Sequence, residues 1–183
     1  MTRRLAAALA TAVLLAGCGS ADTTVRAPVF NAADVMFLQM MVPHHLQGIE
    51  IVRLAPDRAT DPEVRMLAAA IETTQLSEVD AMAGWLRDWG QPTDADADAH
   101  AAHGGMPSTS AAEIAALASA ADFDRQFLNL LIAHQDDAIQ MARAEAAHGQ
   151  NPAAKALAGR IDASRSAQLQ QMLALLGTDQ RQG

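Results

Sequence analysis

From about Ala32 onward the apolar residues recur at intervals of three and four, the period of a helix with one buried face. The segment from Ala32 to about Ala55 carries Phe37, Met41, His44, Gly48 and Ile51 on one stripe, with Gln39, Gln47, Glu50 and Arg53 opposite. Pro56 ends it. Asp61-Pro62 then offers an N-cap followed by proline at the first helical position. It opens a second helix to about Trp89, stopped by Gly90 and Pro92. A third helix is predicted from about Asp122 to His148, with Gly149 as its C-cap. Asn151-Pro152 repeats the cap chemistry and opens a fourth, running to about Leu176 and closed by Gly177. The connector from Gln91 to Ala121 is long enough to cross the molecule. It reads as loop from Asp94 to Gly105, with a short helix at Ala111 to Ser119.

The second pair of helices repeats the first without a gap. Asp34, Phe37, Leu38, His44 and Ile49 return as Asp124, Phe127, Leu128, His134 and Ile139. Pro62, Leu67, Ile71, Met82 and Leu86 return as Pro152, Leu157, Ile161, Met172 and Leu176. This is a duplicated helical hairpin. Composition agrees: Ala, Leu, Gln, Met and Glu favour helix, β-branched residues are sparse and Tyr is absent. The expected fold is all-α, an antiparallel four-helix bundle over residues 31–177, with hairpins at 31–90 and 121–177 and a connector at 91–120.

The N-terminus reads differently. Arg3 and Arg4 precede a small-apolar run from Leu5 to Ala16, then Gly17-Cys18. That is the layout of a signal peptide over residues 1–17, too short to span a bilayer of roughly 30 Å as a helix. Cys18 is the only cysteine and cannot form an internal disulfide. Its place after Leu15-Ala16-Gly17 resembles the bacterial lipobox, where the thiol is acylated. Residues 18–30 are then a lipidated tether, and the expected address is the cell envelope, either on the outer face of the cytoplasmic membrane or in the periplasm. Removing Arg3 and Arg4 from 13 basic residues leaves 11 against 21 acidic ones. Such a balance excludes nucleic acid, which is held by clustered Lys and Arg.

The stripes carry unusual chemistry at mid-helix. His44 and His134 point toward the core, with His45 at the edge of its stripe, while Gln75 and Glu78 interrupt an otherwise apolar face of the second helix. Buried polar groups need hydrogen-bond partners, and the histidines are the natural ones. Met40 and Met41 lie one turn before His44, so thioether and imidazole can converge. Thioether with imidazole suits Cu(I), and imidazole also accepts Cu(II) or Zn(II); Gln75 or Glu78 then fixes the imidazole tautomer. The alternative is a ligand-free His/Glu/Gln core in which methionine is adaptable filler.

Met40-Met41-Val42-Pro43-His44-His45 and Gln75-x-x-Glu78, within a duplicated frame from about Phe30 to Leu176, resemble the domain-of-unknown-function 305 family. Phe123-Asp124 through Ala133-His134, and Gly105-Met106-Pro107, match its pattern too. The resemblance implies a ferritin-like four-helix bundle in the bacterial envelope, some members being linked to copper binding and copper tolerance. The chain departs from that pattern in three places. His134-Gln135 replaces a second histidine pair. Ile51 stands where methionine is usual, Met141 keeping it in the second copy. Arg165-x-x-Gln168 replaces the second Gln-x-x-Glu. Arg165 is expected to face inward and pair with Glu78, and a guanidinium there repels a metal cation. A surviving site is then asymmetric and centred on His44, His45 and Met41.

Other candidates are weaker. Asp94, Asp96, Asp98, His100, His103 and Met106 make the connector a second candidate metal site or a plain acidic linker. It lacks the glycine and final glutamate of a calcium loop. Glu145-x-x-His148 has di-iron spacing but occurs once, and His148 suits a helix C-terminus. No nucleophile stands in a recognisable setting, so no enzyme is expected. Two functions stay open: a metal-binding lipoprotein, most plausibly for copper, that sequesters or hands on the ion, or a metal-free scaffold lipoprotein meeting a protein through surfaces such as Trp85 and Trp89.

Overall fold

The computed structural model describes residues 29–93 and 109–179. The expected signal peptide and Cys18, and the connector residues His100, His103 and Met106, lie outside them. Among the described residues the structure is helical throughout, without strands. The helices are α1 (Ala32–Val52), α2 (Ala55–Arg58), α3 (Pro62–Asp88), α4 (Ala111–Ala118), α5 (Phe123–His148) and α6 (Pro152–Asp179). None of them is long and apolar enough to cross a membrane.

The caps explain most boundaries. Asn31 closes a capping box with Asp34, Asp61 accepts from Glu63 N–H, and Ser110 closes a second box with Glu113. Two boundaries differ from expectation. Pro56 does not simply end the first helix: α1 stops at Val52 and Pro56 enters the first turn of the separate α2, where a missing N–H costs nothing. α6 runs on through Gly177, since a glycine weakens a helix without forcing it to stop. Gly149 caps α5 with φ of −67°, an ordinary conformation. A side chain is excluded there for space: a Cβ would lie 2.2 Å from Glu145 Oε1. Gly90 does need its freedom, with φ of 66° directly after α3.

α1 packs on α3, α5 on α6, and the hairpins meet chiefly through α1 and α5. Two apolar clusters form. One holds Ile51, Val52, Val64, Leu67, Ile71, Phe127, Leu131 and Met172; the other holds Phe37, Leu38, Met41, Met82, Leu86, Ala138, Leu157 and Ile161. Each long helix passes through both, and the order gives its direction. α1 and α6 run from the second cluster to the first, α3 and α5 the other way. The connector therefore leaves α3 at one end and must deliver the chain to α5 at the other.

The ends are tied reciprocally. Asp34, fully buried on α1, accepts the N–H groups of Gln150 and Asn151 ahead of α6, at 3.0 and 2.8 Å. Asp124, its repeat mate on α5, accepts those of Thr60 and Asp61 ahead of α3, at 3.0 and 2.9 Å. Each carboxylate thus satisfies orphan donors of a helix start in the other hairpin, where the helix dipole favours negative charge. Arg53–Glu72 and Arg143–Asp162 repeat the same correspondence within the hairpins.

Candidate metal centre

Between the two apolar clusters every long helix contributes buried polar side chains: His44 and His45 from α1, Gln75 from α3, His134 and Gln135 from α5 and Arg165 from α6. Helical spacing puts each about one turn from the last apolar contact on either side. A polar layer therefore crosses the middle of the core.

His44 and His134 stack at its centre, ring centroids 3.9 Å apart and planes inclined by 11°. Neither nitrogen of His44, nor Nε2 of His134, has a hydrogen-bond partner among the described residues. Burial lowers His44 to about 2, with repulsion from His134, His45 and Arg165 adding to it. Burial lowers His134 to about 4, with His45 and Arg165 contributing. Both rings are therefore neutral at pH 7 and each keeps a lone pair, the form that binds metal.

Gly48 and Thr109 shape the surroundings. A Cβ on Gly48 would fall 2.6 Å from Gln75 Oε1 and 2.8 Å from His134 Nε2, so only glycine lets the amide and the imidazole share that space. Both side-chain atoms of Gln75 lack partners among the described residues. The expected Gln75–histidine hydrogen bond does not form: Gln75 lies beside His134 without the geometry of one. Thr109 closes the layer where the connector returns. Gln47 holds it by both amide atoms, donating to Thr109 O at 2.6 Å and accepting from its N–H at 2.8 Å. Thr109 Oγ1 lies 3.4 Å from His134 Nδ1, a long contact. Gln47, Gly48 and Thr109 were not among the predicted site residues. Gly48 was on the inward stripe, whereas nothing local in the sequence links Gln47 to a residue sixty-two positions away.

His45 belongs to a different arrangement. Its Nε2 is 2.8 Å from Glu78 Oε2, and the same oxygen accepts from Arg165 Nη2. Arg165 is fully buried despite its charge, and the Arg165–Glu78 pair expected from the repeat is present. Burial pushes the Glu78 carboxyl up, but the His45 hydrogen bond and the Arg165 charge outweigh it and hold it below the usual range. Burial likewise pulls His45 down, Glu78 opposing and Arg165 reinforcing. A neutral His45 donating through Nε2 leaves Nδ1 bare, and that nitrogen is buried without a partner among the described residues. On the other side of the layer the repeat mates are uncharged, with Gln135 Nε2 donating to Gln168 Oε1 at 2.7 Å.

The methionines sit apart from this layer. Met41 is fully buried in the apolar cluster with Leu38 and Met82, and Met141 packs against the same cluster. Met40 is half-buried. One turn before His44 is one turn further along the core, which places Met41 among hydrocarbons. No three His, Cys, Asp or Glu side chains among the described residues are grouped so as to hold a metal ion. The donors present are thus two neutral imidazoles with an adjacent amide. That set suits an ion content with few ligands, such as Cu(I) or Ag(I), better than Zn(II), which takes four. The stacked rings hold their in-plane lone pairs in nearly parallel planes, so a shared ion requires one ring to turn.

The profile of a family described as Domain of unknown function (DUF305) matches residues 34–176. No curated protein matches the chain. Among solved structures, a DUF305 protein from Streptomyces coelicolor is 29% identical with a TM-score of 0.75, covering 80% of this chain and 93% of its own. A DUF305 fragment from Deinococcus radiodurans is 28% identical with a TM-score of 0.71, covering 82% and 99%. CopM in the Cu(I)-bound form is 30% identical with a TM-score of 0.67, covering 79% and 96%. CopM is also known in Cu(II)-bound, Ag-bound and apo forms. Matched by that profile over residues 34–176, the chain belongs to the DUF305 family.

Proposed function

We propose that this chain is an envelope-anchored lipoprotein whose helical domain binds copper and sequesters it or hands it on, without catalysing a reaction. The observation that carries the reading is the buried His44–His134 pair, whose nitrogens are neutral and largely unpartnered. Leaving such groups dry and unpaired costs a fold several kcal/mol, of order 2–7 per group on transfer scales. A bound soft cation offsets that cost. The ion lies with His44, His134 and Gln75. CopM, similar over most of its length, takes Cu(I), Cu(II) and Ag.

The antiparallel hairpins and the end-to-end connector support a ferritin-like four-helix bundle over residues 31–177. Residues 1–17 serve as the signal peptide, and acylated Cys18 with the tether to residue 30 anchors the domain to the membrane. The Streptomyces coelicolor relative, described as a candidate secreted protein, fits export.

A metal-free scaffold is the second reading. The His45–Glu78–Arg165 group favours it, since those three side chains largely satisfy one another without a ligand. Titration with Cu(I) under reducing conditions, against a colorimetric Cu(I) chelator, separates the two. Stoichiometric binding lost in His44→Gln/His134→Gln supports the copper reading. Binding lost only on deleting Asp94 to Met106 moves the site to the connector, and no binding in any form leaves the scaffold.

A further inference from the structure

The two sides of the polar layer are built from the same repeat positions but carry opposite electrostatics. One side holds His45, Glu78 and Arg165; the other holds Gln135 and Gln168, and Gln75 stands at the position that matches Arg165, all three neutral amides. His45 and Glu78 alone would be an imidazole and a carboxylate converging in a buried place, a common pair of donors for a divalent cation. Arg165 reaches across from the opposite hairpin and puts its guanidinium on the Glu78 oxygen that also meets His45.

We propose that Arg165 is a specificity-determining residue: a tethered cation that fills the ion position beside His45 and Glu78, excluding divalent metals and leaving one site for a soft monovalent ion at His44–His134. The inference deepens the copper reading and rests on it for the second half of that statement. Three features support it. Arg165 is fully buried, so its charge has no bulk solvent to screen it. Its partner is the carboxylate itself, so the donor a hard or borderline cation would need is engaged. Its guanidinium also lies 3.4 Å from His45 Nε2, opposing any second positive charge in the layer. That opposition doubles from a monovalent to a divalent ion, because Coulomb energy scales with charge. Gln75, the residue at the same position of the other hairpin, has the shape to occupy the layer without the charge.

The test is titration of the full mature chain with Zn(II), and separately with Cu(I), for wild type, Arg165→Gln, Arg165→Lys and Arg165→Gln/Glu78→Gln. The connector is the same in all four, so differences report the core. The expected result is one additional Zn(II) per chain in Arg165→Gln, bound roughly 100-fold or more tighter than in wild type. Arg165→Lys, which keeps the charge, and the double variant, which removes the carboxylate, should not gain it. If wild type binds Cu(I) but Arg165→Gln takes up Zn(II) as wild type does, the proposal is overturned while the copper reading stands. If Arg165→Gln gains Zn(II) and no form binds Cu(I), the tethered-cation role stands and the copper reading falls. Should Arg165→Gln lose its helical circular dichroism, recovery of that signal on adding Zn(II) supports the proposal, and no recovery overturns it.

Discussion

Acid should unfold this protein through its stacked histidines, and the size of the effect follows from their burial. Burial holds His134 at about 4 and His44 at about 2, against an ordinary value of 6.5. Both folded values are depressed, so the unfolded chain takes up protons first. The stability these rings confer is present above pH 6.5 and is lost as pH falls toward 4. Each ring contributes a slope that rises toward about 1.4 kcal/mol per pH unit as the unfolded imidazole protonates, so the pair removes ~3 kcal/mol between pH 6.5 and 5. A domain of this size has roughly 5–15 kcal/mol in total. The assay is urea unfolding of metal-free protein at a series of pH values, beside His44→Gln/His134→Gln. Taking the difference cancels other titrating groups, and replacing both rings avoids the change in one when the other is removed. The gap between wild type and variant should change by ~3 kcal/mol over that interval, moving against wild type as acid is added. A gap constant to within about 1 kcal/mol would refute the reasoning, since rings that protonate as readily in the fold are hydrated.

Glu145 works in the opposite sense. Burial raises it to about 8, with the Asp34 hydrogen bond and charge assisting and Lys155 opposing. Its folded value is raised, so stability is lost as pH rises from 4.5 toward 8, and Glu145→Gln should stabilise the protein at pH 7.5 by roughly 2 kcal/mol but not at pH 4. Gly48→Ala drives a Cβ into Gln75 and His134. Thermal melts should show a loss of about 1–3 kcal/mol, with weaker Cu(I) retention in the same protein. Asp34→Ala and Asp124→Ala each strip charge-assisted bonds from a helix start. Each should cost about 1.5–3 kcal/mol in urea, and because they act at opposite ends the losses should add.

Much of this architecture is legible in the sequence because its signals are local. The Asp61-Pro62 and Asn151-Pro152 caps, the three-and-four spacing and the matched positions of two hairpins mark the helices before any contact is known. Where local signals are ambiguous the reading drifts, as at Pro56, which can end a helix or begin one, and at Gly177, which α6 passes through. The polar layer was half visible. The inward positions of His44 and His134 follow from helical period, and that of Arg165, with its Glu78 pairing, follows from the matched positions of the two hairpins. Which side chains meet across the core does not. The His44–His134 stack joins residues on different hairpins, Gln47 grips Thr109 from far along the chain, and Met41 proves to be one turn too far along α1 to share the imidazoles' layer. Those facts depend on rotation and crossing of helices, which the pattern of one chain does not encode.

The central claim is that a soft monovalent ion sits at the His44–His134 pair. The most direct test is 15N NMR of the imidazole nitrogens, with the six histidines assigned by substitution, during titration with Ag(I). The account predicts stoichiometric shifts of His44 and His134 nitrogens at the first equivalent, with the His45 Nε2 signal held in place by Glu78. Shifts confined to His100 and His103, or none in the core, would contradict it.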